Sequence, residues 1–185
     1  MRLIDTHTHL DFPDFDADRD EVLARSRALG VQRMVVLGVY QANWQRLWQL
    51  VEANENLHAA FGLHPVYLDD HSPQHLPELR DWLGKLAGHR KLCAVGEFGL
   101  DYYLEHLDRQ RQQALFEAQL AIAADAQLPV LLREPQQALR PVLQQVHPRA
   151  VLRLALTQVP ATRPLPPRAN LQTSVRSTSS RMISK

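Results

Sequence analysis

Short apolar runs alternate along this chain with longer stretches in which apolar residues recur every three or four positions, starting at its first residues. The short runs predict strands near Leu3–Thr6, Arg33–Leu37, Leu57–Phe61, Leu92–Val95, Pro129–Leu132 and Ala150–Leu156. The longer stretches predict helices over Arg19–Leu29, Asn43–Ala53, Gln74–Leu86, Asp108–Ala126 and Gln136–Val146. Val22, Leu23, Ser26 and Leu29 form the expected inward stripe of the first helix, and Gly30 supplies its stop. Asp108 is the expected N-cap of the longest helix. Its inner face carries Leu115, Phe116, Gln119, Leu120 and Ala123 until Leu128 and Pro129 turn the chain into a strand. Trp44, Trp48 and Trp82 fall within helical patterns, where packing accounts for them.

Alternation of this kind specifies a parallel sheet. No Gly-x-Gly-x-x-Gly follows the first strand, which argues against a dinucleotide site. Polar residues gather instead at the C-terminal ends of strands, as they do in a (β/α) barrel, although 185 residues fall short of the ~250 typical of a closed one. The expected fold is therefore α/β, an incomplete TIM-type (β/α) barrel with about six of its eight strands. Its domain spans residues 1–156, and residues 157–185 form a basic, Pro/Ser-rich tail expected to be disordered.

Composition alters this picture mainly at the C-terminal end. All 20 acidic residues lie at or before Glu134, so residues 1–134 carry −7 and residues 135–185 carry +8 of the overall +1. The same C-terminal segment has none of the 7 glycines but 7 of the 12 prolines, a makeup suited to a disordered extension, and its charge admits nucleic-acid contact. No apolar run is long enough to span a membrane, and the first residues lack the pattern of a secretory signal. Cys93 is the only cysteine, which excludes an internal disulfide and points to a reducing cytoplasm.

Candidate chemistry begins at Asp5-Thr6-His7-Thr8-His9, at the end of the first strand. Side chains two apart on a strand face the same way, so His7 and His9 can present ring nitrogens to one cation at the barrel mouth. A second segment, Val95 to Tyr103, follows the fourth strand. Glu97 lies there between Gly96 and Phe98-Gly99, where close backbone approach is possible and its two carboxylate oxygens can bridge two cations.

Together with Gly62-Leu63-His64-Pro65 after the third strand, these segments resemble the TatD family of metal-dependent deoxyribonucleases, over residues 1 to about 132. Such a resemblance implies a TIM-barrel fold and hydrolysis of phosphodiester bonds in DNA. It implies two divalent ions (Mg²⁺, Mn²⁺ or Zn²⁺) held by His7, His9 and a bridging Glu97. His64 would lie beside the scissile phosphate as a catalytic residue rather than on a metal, and Asp101 and Tyr102 would brace the Glu97 loop.

The chain then departs from the family pattern. Arg133 stands where a histidine follows the fifth strand, Arg153 stands near the place of the sixth-strand histidine, and the tail offers no acidic residue for the last-strand aspartate. Guanidinium groups stay protonated and cannot ligate a metal. Out-of-frame or truncated coding between Arg133 and about Ala155 would produce such a segment. Two other readings stay open, an inactive nucleic-acid-binding remnant and an amidohydrolase-type barrel acting on amides.

Six strands cannot close an eight-stranded barrel, and an unpaired sheet edge invites association. The chain is expected to oligomerise or to be poorly soluble; a sharp, monomeric, cooperative unfolding transition, with sedimentation reporting one chain, would contradict this.

Overall fold

The structure of the chain, a computed structural model, describes residues 2–133 and the backbone of 154–157. Six strands, β1 (Leu3–Thr8), β2 (Val31–Leu37), β3 (Leu57–Phe61), β4 (Leu92–Gly99), β5 (Val130–Arg133) and β6 (Leu154–Thr157), form one sheet. Their spatial order equals their order in the chain, and every pairing is parallel. Helices α1 (Arg19–Ala28), α2 (Trp44–Ala53), α3 (His75–Lys85) and α4 (Arg109–Asp125) separate the first five strands. A doubly wound sheet reverses its strand order at a switch point, whereas this order never reverses and is that of a barrel wall. The fold is thus α/β and of the incomplete TIM-barrel type expected. Among the described residues β1 pairs only with β2, and β6 only with β5.

Alternation along the strands divides the apolar residues between two clusters. Leu37, Ala60, Ala94 and Leu131, one from each of β2 to β5, form the smaller cluster. Their neighbours Val36, Phe61, Val95 and Leu132 join the larger one with the helices. Phe61 is fully buried there, with the rings of Trp82, Trp48 and Trp44 at 5.8, 6.2 and 6.4 Å. The tryptophans therefore pack, as their helical spacing predicts. On α4, Phe116 meets Phe98 of β4 at 5.6 Å, and the Asp108 carboxylate accepts from the backbone N–H groups of Gln110 and Arg111, capping the helix as expected.

Three local expectations change. Both β1 and β4 run past their apolar stretches, to Thr8 and Gly99, because the ladder continues where the side chains turn polar at the mouth. Leu29 is 50% exposed and does not join the inward stripe: α1 ends at Ala28, and Leu29 serves as its C-cap with Gly30 at φ +95°. Short 3₁₀ turns at Pro13–Phe15, Gln41–Asn43 and Pro65–Asp70 occupy segments without periodicity, where none was expected. The helix expected over Gln136–Val146, Arg153 and the tail beyond Thr157 lie outside the described residues. No helix among the described residues is long and apolar enough to cross a membrane.

Lys91 is only 5% exposed, and its ammonium donates to the carbonyls of Val51, Asn54 and Glu52 at 2.6, 3.0 and 3.1 Å. These are carbonyls at the end of α2, so the cation both fills their missing bonds and opposes the negative end of the helix dipole. Lys91→Met is expected to cost about 1–3 kcal/mol in urea unfolding, since it leaves buried acceptors unsatisfied; an unchanged midpoint would refute this role for the lysine.

Candidate metal centre

Three strands of the sheet, β1, β3 and β4, deliver four groups to its C-terminal mouth. His7 lies near the end of β1 with His9 just past it, His64 follows β3, and Glu97 lies within β4. The strand ends are drawn together by backbone bonds: Gly38 N–H donates to Ala60 O at 2.8 Å, His64 N–H to Val39 O at 2.8 Å, and Glu97 N–H to Gly38 O at 3.2 Å. A Cβ on Gly96 would lie 2.6 Å from the Leu131 carbonyl oxygen, and one on Gly62 would lie 2.9 Å from the Gly96 carbonyl carbon. The strands approach this closely because neither position carries a side chain.

Glu97 is 1% exposed, and its Oε2 is the point on which the imidazoles converge. His7 Nε2 lies 3.3 Å from it, His64 Nε2 3.7 Å and His9 Nε2 3.8 Å. The ligand atoms of His7, His9 and Glu97 all lie within 4.8 Å of one another. Burial raises the pKa of Glu97, against the lowering effect of His9 and Arg133. Burial also lowers the pKa of His7 to about 4, with Arg133 adding to the effect, and that of His9 to about 4, with His7 adding to it. Both rings are consequently neutral at ordinary pH, the form in which imidazole ligates a metal.

Hydrogen bonds at the far side of the His9 and His64 rings set what their near sides can do. His9 Nδ1 lies 3.1 Å from the Leu37 carbonyl, which can only accept, so Nδ1 carries the hydrogen and Nε2 keeps its lone pair. For His64 the pattern is reversed. The Val66 N–H donates to His64 Nδ1 at 3.1 Å, and burial holds the pKa of this histidine well below its ordinary value. The neutral ring then bears its hydrogen on Nε2, which makes it a donor and not a metal ligand. The Asp5 carboxylate accepts from the His7 backbone N–H at 3.0 Å and steadies the strand end, and the Phe12 ring stacks on His9 at 5.3 Å.

A metal fits these residues on three counts. Two neutral imidazoles and a carboxylate are a competent donor set, His9 has the second bond that orients metal-binding histidines, and Glu97 Oε1 is buried with no hydrogen-bond partner among the described residues.

Several supporting residues carry no motif signal. Gln119 and Gln112 are fully buried on α4 although they are polar. Gln119 accepts from Leu63 N–H at 2.8 Å and donates to Leu63 O at 3.1 Å, next to His64. Gln112 makes the same pair of bonds with the backbone of Asp101, at 2.8 and 3.2 Å. Two glutamines seven apart on an apolar stripe were the available clue. His71 Nε2 donates to the His64 carbonyl at 2.9 Å, a contact its place in the sequence does not reveal. Asp101 accepts from Tyr103 N–H at 3.2 Å and lies 3.6 Å from Arg133 Nε, while Tyr102 sits under the Arg109 guanidinium at 5.2 Å. Arg133, at the place where the family pattern has a histidine after the fifth strand, thus brings a cation beside Asp101.

A parallel barrel wall with imidazoles and a buried carboxylate gathered at its C-terminal mouth defines a class, the (β/α)-barrel proteins with a metal-binding mouth. The TatD related DNase family model matches residues 4–151, and the chain belongs to that family. It is 35% identical over 130 residues to the uncharacterized metal-dependent hydrolase YabD of Bacillus subtilis, covering 70% of this chain and 49% of YabD. It is 40% identical over 131 residues to YjjV of Escherichia coli, likewise named an uncharacterized metal-dependent hydrolase, covering 71% and 50%. It is 31% identical over 150 residues to the 3'-5' ssDNA/RNA exonuclease TatD of Pantoea ananatis, covering 80% and 56%. The crystal structure of the E. coli YjjV protein superposes with a TM-score of 0.68 over 71% of this chain and 50% of that one. The chain thus spans about half the length of the relatives it matches.

The depressed histidines make a pH prediction for the cation-free chain. Between pH 6.5 and about 4 the unfolded chain protonates these imidazoles while the folded chain keeps them neutral, so each costs stability as pH falls through that window. In urea unfolding, the double variant His7→Gln/His9→Gln should gain on the wild type between pH 7.5 and 4.5; parallel pH profiles would contradict the assignment.

Proposed function

We propose that this chain hydrolyses phosphodiester bonds in DNA with the help of divalent cations. The observation that carries this reading is the convergence of three imidazole Nε2 atoms within 3.3–3.8 Å of one buried carboxylate oxygen. In this reading His7, His9 and Glu97 are the metal ligands. Glu97 turns Oε2 toward the imidazoles and leaves Oε1 without a partner among the described residues, an arrangement that suits a carboxylate shared between two cations. Bound there, Mg²⁺, Mn²⁺ or Zn²⁺ would supply Lewis-acid charge and lower the pKa of the attacking water.

The chain's own groups supply the rest. His64, with its hydrogen on Nε2, donates to a phosphoryl oxygen held in the mouth and steadies the charge that develops there. Leu63 and Asp101, each clamped by a buried glutamine, keep the loops after β3 and β4 from yielding when substrate binds. A nucleic acid as substrate is supported by the Pantoea ananatis relative, which is named a 3'-5' ssDNA/RNA exonuclease.

Purified chain and an end-labelled single-stranded oligodeoxynucleotide test this directly, with Mg²⁺, Mn²⁺ or excess chelator. Nucleotide release should require the cation and fall by about a hundredfold or more in Glu97→Gln and His7→Ala, a loss at least as large as that of orienting groups. His64→Asn should lower it by about tenfold while leaving Mn²⁺ binding intact, as expected for a lost hydrogen bond to charge. Release in excess chelator, or release insensitive to Glu97→Gln, overturns the proposal.

A further inference from the structure

Arg133 differs from the other paired arginines of the described structure. Arg46 pairs with Asp16, Arg80 with Asp125 and Arg111 with Asp69 through exposed side chains, and Arg19, which also pairs with Asp16, is further taken up by the carbonyls of Leu10 and Phe12. Arg133 ends β5, in register with Gly99 of β4, and its side chain is 21% exposed. One edge of its guanidinium, Nε, is 3.6 Å from Asp101 Oδ2, and the opposite edge makes no hydrogen bond within the described residues.

Its charge reaches every group of the centre. After burial it is the largest influence lowering the pKa values of His7 and His64, it acts in the same direction on His9, and it also lowers that of Glu97. A guanidinium so placed cannot accept a metal and does not balance Glu97 at contact distance. What it offers the mouth is a planar pair of N–H donors with a fixed positive charge, the geometry that recognises phosphoryl oxygens.

We propose that Arg133 is the phosphate-binding residue of this site: held by Asp101 on its Nε edge, it presents the opposite edge, which no described residue bonds, to the phosphoryl group beside His64. Asp101 is then a positioning residue, itself fixed by Gln112 on both backbone atoms and by the Tyr103 N–H. The proposal rests on the phosphodiesterase reading for its substrate class, but the binding step can be measured without turnover. It also implies antagonism, because the same positive charge that attracts phosphate repels a cation at His7, His9 and Glu97.

The test uses the full chain loaded with Mg²⁺ and inorganic phosphate as the probe, read by calorimetry, with Mn²⁺ affinity measured separately by paramagnetic resonance. Arg133→Met should weaken phosphate binding by about tenfold or more, the effect of losing a charge-assisted pair of bonds. Arg133→Lys, which keeps the charge without the fork, should fall between the two. Mn²⁺ should bind Arg133→Met more tightly than the wild type, an opposite sign to the loss that simple damage to the fold would give. Phosphate affinity unchanged in Arg133→Met, or phosphate and Mn²⁺ affinities lost together with a lowered melting temperature, overturns the assignment. Oligonucleotide hydrolysis in the same samples separates the two readings. Arg133-dependent phosphate binding without hydrolysis by the wild type refutes the phosphodiesterase and supports Arg133; hydrolysis with Arg133-independent phosphate binding does the reverse.

Discussion

The carboxylate of Glu97 sits almost wholly out of water at the mouth of the sheet, and most of the surrounding structure exists to hold it there. Burial of an acid with one unpartnered oxygen destabilises the folded state unless something compensates, and nothing in the described protein does so for Oε1. Folding alone would favour an apolar residue at this position. The strand ends that converge on Glu97, the glycines that let β3, β4 and β5 approach, and the imidazoles kept neutral by the same burial all serve the carboxylate. Stability is given up at one point for a donor set matched to a cation.

Helix α4 links this site to the core. Phe116 anchors the helix on Phe98 of β4, and the same helix reaches both site loops with Gln112 and Gln119, two turns apart. Each glutamine satisfies both a backbone donor and a backbone acceptor, so neither side chain is left with an unmet polar group in an apolar setting. The loops that carry His64 and Asp101 are therefore held from below by rigid helix. Precision at the mouth is a consequence of packing on the outer face of the sheet.

Arg133 alters the electrostatics of this arrangement. Where the family pattern predicts a further imidazole, the chain places a permanent cation, paired on one edge with Asp101. This substitution removes a ligand and adds a donor in one step. The mouth is left with neutral imidazoles on the β1 side and fixed positive charge on the β5 side, an asymmetry that favours an anion between them.

Much of this was legible in the amino-acid order. The alternation of apolar runs specified a parallel α/β sheet, strand-end polarity specified which end carries the chemistry, and His7, His9, His64 and Glu97 stood in segments whose combination is distinctive. Strand β4 could not be followed past Val95 because hydrophobicity ends where a strand reaches a polar mouth, although its hydrogen bonds do not. Leu29 was misplaced because a helix can end one residue before its pattern does. Local order determined residue types and element types. Tertiary structure alone decided the hydrogen-bond partners behind the His9 and His64 rings, and with them that His9 keeps a lone pair on the nitrogen facing Glu97 while His64 carries a hydrogen there. It also decided that Gln112, Gln119 and His71 brace the site loops and that Arg133 pairs with Asp101, since no spacing along the chain encodes those distances.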